Sequence, residues 1–395
     1  MDNYLNALEK PLSLAKHLPE EIIPLTDALY RITTDPVTSP MDLPAFSNSA
    51  MDGFAVHARD TQKASPDYPI TLTIRGSTAA GDVCANPIEN EYSAWEIMTG
   101  APMPAFYDAV VPVENVKIQG ASIVLTASIQ SNANIRHPGE DFQKNATVLP
   151  AGHRITPADI MALSALGMAS VKVRALPKIA VICTGKEIVN GSINNSNGPY
   201  LKALLAESHV ILQSYHVVDD TPALFETLFQ AILQDQPDMI LTTGGVSAGK
   251  WDFIPDSLQK MGMTLHFHKL SIQPAKPVLC GSIGSTWIVG LPGNPISVAV
   301  SARFVAIPLL RQLQSLPEEH PEYAQLTGPV QKKPGFRVFF RGRKTTTATG
   351  QVQVEVFKEQ QSFKIRPLLD ANCWIVLDET QNEYQPKDMV STYEL

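Results

Sequence analysis

The chain has 395 residues, 44% of them hydrophobic and 18% charged, with a net charge of −8. That length predicts roughly two to four domains and ample core. The acidic balance excludes nonspecific nucleic-acid binding, which needs a basic face, but leaves room for a locally basic pocket.

Four cysteines (Cys84, Cys183, Cys280 and Cys373) lie far apart, with no CxxC and no Cys/His metal spacing. The N-terminus MDNYLNALEKPLSLAKHL carries no apolar stretch behind a basic start, so it does not read as a signal peptide. No segment approaches the ~18 uninterrupted apolar residues of a membrane span. The expected setting is a reducing cytoplasm, with no membrane and no nucleic acid as partners.

Thirty-one prolines exceed an average usage of about 5% and mark boundaries between units. Residues 1–35 predict helices with a break, Thr26 capping a segment that carries Leu29 and Ile32. Residues 45–135 predict an antiparallel β module, from short runs such as ITLTIRG and ASIVLTASI between Gly, Asn and Pro turns. A helix follows at 156–167, with Thr156 as cap and Gly167 as stop. Strand and helix then alternate: KIAVICTG, a helix capped by Asn197, HVILQSYHVV, a helix over 221–234, DMILTTGG, a helix over 253–262, then LHFHKL, PVLCG and TWIVGL before a helix over 295–313. Such alternation predicts a doubly wound, mostly parallel sheet with helices on both faces. The tail beyond about 325 returns to β-type runs and predicts a small barrel or sandwich.

In α/β domains ligands bind beyond the C-terminal ends of strands, and here those ends carry chemistry. CTGKE places Thr184, Gly185 and Glu187 after the first strand, and VVDDTP places Asp219 and Asp220 after the second. TTGGVSAGKWD places Gly244, Gly245, Ser247 and Asp252 after the third, and Pro292–Pro295 follow the last. Lys269 and Lys276 lie between them in HKLSIQPAKP. The Gly244-Gly245 loop suits phosphate oxygens, the lysines supply point charges, and Glu187, Asp219 and Asp252 suit a hard cation such as Mg²⁺. Gly293 permits close backbone approach, Asn294 is a good N-cap, and Pro295 fits the first helical position, which predicts an anion site at that turn. Taken singly, Asp220 reads as a helix cap, Lys269 reads equally well as a solvated strand end, and His266 and His268 share a strand face without metal-ligating neighbours. Taken jointly, four strand ends favour a polyanion site. Neither GxxxxGK[ST] nor GxGxxG occurs, so ATPase and dehydrogenase motifs are absent.

NSAMDGFAV, IMTGAPMP, NIRHPGED, TGKE, GGVSAGKWDF and LPGNPIS, in this order along the chain, resemble the molybdopterin molybdenumtransferase family, MoeA and the E domain of gephyrin. The resemblance implies an elongated linking domain (1–44 and 139–176), a β domain (45–138), a molybdopterin-binding-like α/β domain (177–316) and a C-terminal β domain (317–395). It implies a homodimer that takes adenylylated molybdopterin and molybdate with Mg²⁺, cleaves the pyrophosphate link, and releases AMP and molybdenum cofactor. A partner that adenylylates molybdopterin is implied as well. By position, Asp52, Thr99 and Asp141 would enter from the second subunit. Glu187, Asp219, Asp252, Lys269 and Lys276 match functional positions of the α/β domain, and Ser247 with Pro292, Gly293, Asn294 and Pro295 would line the pocket. Asp219 and Asp252 would place the metal, while Glu187 or Asp141 would orient the attacking oxygen.

The family's usual KPGKP reads Gln273-Pro274-Ala275-Lys276-Pro277 here, which replaces a lysine by a neutral amide. Phe363 and Lys364 replace a small Gly-rich stretch in the tail. Two alternatives therefore stand beside the transferase: a paralogue that takes another oxyanion such as tungstate, and a catalytically weak dimeric scaffold. Retention of Asp52, Asp141, Glu187, Asp219 and Asp252 argues against the scaffold.

Overall fold

The computed structural model describes residues 2–87, 90–246 and 253–395. Two compact units divide the chain: residues 35–151 with 157–171 form one, and the remainder forms the other. The expected linking region is shared between them, and the α/β and C-terminal domains fall together in the second.

The first unit is built on a six-stranded sheet in the order Ala109–Pro112, Gly53–Val56, Ser93–Ile97, Ile70–Thr78, Ser122–Leu125, Lys117–Gln119. Its pairings are antiparallel except between Ile70–Thr78 and Ser93–Ile97, which run parallel. Phe54, Val56, Leu72, Ile123 and Leu125 fill one core cluster of this unit.

In the second unit the α/β domain contributes β1 (Lys178–Thr184), α1 (Lys186–Val189), α2 (Asn197–Glu207), β2 (Ile211–Val218), α3 (Pro222–Gln234), β3 (Met239–Thr243), α4 (Ile254–Lys260), β4 (Thr264–His268), β5 (Leu279–Ile283), β6 (Thr286–Leu291) and α5 (Pro295–Ser301). The sheet order is β2-β1-β3-β6-β5-β4. The first four strands are parallel, and β5 is antiparallel to both of its neighbours. Alternation along β1 explains the two helical layers. Ile179, Val181 and Cys183 face Leu201 and Leu205 of α2, while Ala180 and Ile182 face Phe225 and Phe229 of α3. Helix α5 continues through a π-helical turn, Ala302–Ala306, into Ile307–Leu313. This 19-residue run is apolar enough to cross a membrane, but 78% of its most apolar window is buried, as in a core helix.

The C-terminal strands Arg337–Thr346, Val352–Val356, Glu322–Leu326, Met389–Tyr393 and Cys373–Leu377 pair in that order, and the last pairs back to the first. The tail is thus a closed five-stranded barrel. Phe339 and Trp374 of the barrel join the α/β core through Phe304, at ring distances of 4.3 and 6.2 Å. The N-terminal helix Tyr4–Leu14 packs onto the same core, its Tyr4 hydroxyl donating to Phe304 O at 2.7 Å.

Two local expectations are corrected. No helix forms after Thr26: Leu25–Asp27 makes one 3₁₀ turn, and Tyr30 turns into the left-handed region at φ 62°. Ile32 then bridges to Arg154, so strand-like tertiary pairing overrides the helical spacing. Asn197 is not the cap of α2; Asn195 Oδ1 accepts the Gly198 N–H at 2.9 Å instead. Phe225 is fully buried whereas its neighbour Leu224 is 53% exposed. Phe225→Ala should cost about 3–5 kcal/mol in urea unfolding, and Leu224→Ala less than about 0.5 kcal/mol.

Candidate active site

The C-terminal ends of β1, β3 and β6 converge on a cavity of about 510 Å³. Thr184, Gly185 and Glu187 line it from the first end, Gly244, Gly245 and Val246 from the second, and Gly293, Asn294 and Pro295 from the third. Asn194, Asn195 and Ser196, ahead of α2, Asn197 at its start, and Asp220, after β2, complete the wall.

The floor is a backbone packing. Gly244 N–H donates to Leu291 O at 3.0 Å, tying the β3 end to the β6 end. Thr184 Oγ1 donates to Thr243 O at 3.1 Å, tying β1 to β3. Gly244 sits at φ 87°, and a Cβ there would meet Thr184 Oγ1 at 2.8 Å and Thr184 O at 2.9 Å. Only glycine fits such an approach at positive φ. Asn197 Nδ2 donates to Gly293 O at 2.8 Å, which clamps the Pro292–Pro295 turn from the α2 side.

From the barrel side, Ser362 covers the same turn. Its carbonyl accepts the Ile296 N–H at 3.0 Å, and its Oγ accepts from Asn294 Nδ2 at 3.1 Å. The anion site expected at the start of α5 therefore has its first free N–H already taken, since Pro295 has none. The segment carrying Ser362 is held by Arg341, a fully buried guanidinium that donates to the carbonyls of Lys364 (2.5 Å) and Glu359 (3.0 Å). Pairing of this kind is what a buried charge requires. Neither Ser362 nor Arg341 stood out in the sequence, where only Phe363 and Lys364 marked the region.

The remaining candidates are placed as follows. Asp219 Oδ1 accepts the Thr221 N–H at 2.9 Å, closing the turn before α3. Asp220, read from sequence as a cap, lines the cavity and accepts the Lys186 N–H at 3.2 Å. Lys269, Gln273 and Lys276 lie on the loop after β4, outside the cavity wall. Lys269 is half-buried, and Gln273 and Lys276 are exposed. Among the described residues neither lysine forms an ion pair. Ile272–Gln273 pairs in parallel with Arg337–Val338 of the barrel, so Gln273 stands where loop and barrel meet. His266 Nε2 meets Ser282 Oγ at 3.1 Å and His268 Nε2 meets Val246 O at 3.0 Å. Ser247 and Asp252 lie outside the described residues.

In the other unit three distant motifs meet. Ser49 N–H donates to Ala101 O (3.0 Å) and Gly100 N–H to Ser49 O (2.8 Å), while Asn48 and Ser49 pair with Arg136 and Ile135. Asp52 Oδ1 there accepts both the N–H and the hydroxyl of Thr99, each at 2.7 Å. These bonds, the backbone one first, hold the Asp52 carboxyl below its ordinary range. Asp141 is exposed on the same unit, its N–H donating to Leu43 O at 2.9 Å.

Three family profiles match successive parts of the chain: "MoeA N-terminal region (domain I and II)" over residues 3–167, "Probable molybdopterin binding domain" over 180–312, and "MoeA C-terminal region (domain IV)" over 323–395. A protein of Synechococcus elongatus named molybdopterin molybdenumtransferase is 33% identical, over 96% of this chain and 96% of its own. The chain belongs to the molybdopterin molybdenumtransferase family. A second relative of that name, from Haemophilus influenzae, is 34% identical over 94% of this chain and 93% of its own. The crystal structure of the molybdopterin biosynthesis moeA protein from Pyrococcus horikoshii matches across 100% of both chains, with a TM-score of 0.84 and 26% identity. The chain is thus an enzyme of the molybdenumtransferase family, with its multidomain fold.

The Asp52–Thr99 pair gives a test. A carboxylate with a depressed folded pKa adds stability above its unfolded value, and loses it as pH falls through the folded value. Thr99→Val removes the hydroxyl donor, so the Asp52 pKa should rise toward the ordinary carboxylate value in a carboxyl NMR titration. An unmoved titration would deny the hydroxyl any part in the shift.

Proposed function

We propose that the chain inserts molybdenum from molybdate into adenylylated molybdopterin, with Mg²⁺-dependent release of AMP. The carrying observation is the convergence of three strand ends and Asp220 on one polar cavity with a backbone floor, the arrangement that suits an extended polyanion. The relatives' name supplies the molybdopterin and molybdenum of the reading.

Glu187 and Asp220 bring carboxylates to the cavity wall, the oxygen donors that suit Mg²⁺. Mg²⁺ needs only one or two carboxylates when substrate phosphates supply the other oxygens. Glu187 on the cavity wall, with Asp219 and Asp252, would hold it. When bound it would neutralise charge on the pyrophosphate oxygens. The protein's own part is to seat the phosphates along Gly244–Val246 and to hold Glu187 toward them. Lys269 and Lys276 would bring positive charge to oxyanions at the cleft's edge. The Pro292–Pro295 turn, clamped between Asn197 and Ser362, would form the far wall.

The reading includes a homodimer in which Asp52, Thr99 and Asp141 serve the cleft of the second copy, and a partner that supplies adenylylated molybdopterin. It places the enzyme in a reducing cytoplasm, where its four free cysteines would stay reduced.

AMP release from adenylylated molybdopterin with Mg²⁺ tests this directly. Molybdate should stimulate release, chelation of Mg²⁺ should abolish it, and Glu187→Gln should lower it about 100-fold. Stimulation by tungstate alone would replace molybdate in the reading, and no release with either oxyanion would overturn it.

A further inference from the structure

We propose that Asp220 is a positioning residue: its carboxylate fixes the turn between β1 and α1 and thereby sets where Glu187 stands in the cleft. The inference rests on the polyanion-site reading above.

Asp219 and Asp220 are chain neighbours at one strand end, yet their carboxylates have different tasks. The Asp219 bond to the Thr221 N–H spans two residues and stays within its own turn. The Asp220 bond to the Lys186 N–H spans 34 residues and reaches the first residue of α1. Beside it, Gly185 N–H donates to Val218 O at 3.1 Å, so the two strand ends are tied by adjacent bonds.

Glu187 depends on this tie. It is exposed, and among the described residues its carboxylate has no hydrogen-bond or ion-pair partner. Its place is set by the backbone that carries it. That backbone is tightly drawn: Gly185 lies at φ 154°, and a Cβ there would meet Glu187 Oε1 at 2.9 Å. Ile188 N–H and Ile193 N–H close the rest of the turn on Gly185 O (3.1 Å) and Glu187 O (3.0 Å). The Lys186 N–H would otherwise be one of the orphan donors at a helix start. A carboxylate acceptor makes its bond charge-assisted, the stronger class. Asp220 is also half-buried on the cavity wall, so the tie sits beside the ligand rather than behind the fold.

Residue-resolved amide exchange, read with steady-state kinetics on the full chain, tests the proposal. Asp220→Ala should speed exchange at Lys186 about tenfold, the order expected for losing one bond to a charged acceptor. It should also raise KM for adenylylated molybdopterin more than it lowers kcat. Asp220→Asn keeps an oxygen acceptor and should restore both. Asp219→Ala should speed exchange at Thr221 and leave Lys186 protected. Unchanged Lys186 exchange in folded Asp220→Ala would overturn the proposal, as would failure of Asp220→Asn to restore exchange and KM together. If the wild-type enzyme released no AMP, the transferase reading would fall, while the exchange comparison would still decide the placement of Glu187's turn.

Discussion

The structure of the cleft depends on one close approach, that of the Gly244 backbone to Thr184. The N–H of Gly244 reaches across to Leu291 O, and the Thr184 hydroxyl reaches Thr243 O. Three strand ends are thereby locked at a separation that leaves no room for a side chain between the first two. A floor made of backbone can present N–H groups to phosphate oxygens at short range, as a side-chain floor cannot. Glycine at positive φ weakens a strand end locally, and the two-sided core below, with Phe225 and Phe229 on one face and Leu201 and Leu205 on the other, outweighs that cost.

The barrel is part of the same construction. Phe339 and Trp374 continue the α/β core, and Arg341 gathers the chain on either side of Ser362 so that Ser362 closes on the start of α5. The part of the cleft wall formed by the Pro292–Pro295 turn therefore depends on Ser362, 68 positions beyond Asn294. A fully buried arginine is costly unless its donors are matched, and here carbonyls and the Gln360 amide oxygen match them. Removing that guanidinium's partners would release the wall as well as the loop.

Much of this was legible in the sequence, because periodicity reports burial. The run KIAVICT reads as a strand and forms one, buried on both faces, and residues 221–234 read as a helix and form one, with Phe225, Phe229 and Ile232 buried but Leu224 exposed. The strand-end residues Glu187, Gly244, Gly245 and Asn294 could be assigned to one cleft because parallel α/β topology brings such ends together. What spacing could not reveal was direction. Asp219 and Asp220 are equivalent by sequence, and only the turn geometry sends one to Thr221 and the other to Lys186. The segment after Thr26 has helical spacing, but pairing of Ile32 with Arg154 draws it out. Ser362 and Arg341 were invisible for a related reason: their roles come from a contact between domains, which leaves no local pattern.

The central claim is that the strand-end cleft is where the polyanionic substrate lies. Hydrogen exchange of the enzyme with and without adenylylated molybdopterin and Mg²⁺ would test it most directly. The account predicts new protection at residues 184–188, 194–197, 244–246 and 293–296, with the outer strands of the barrel unchanged. Protection that spared those four segments while appearing elsewhere would contradict it.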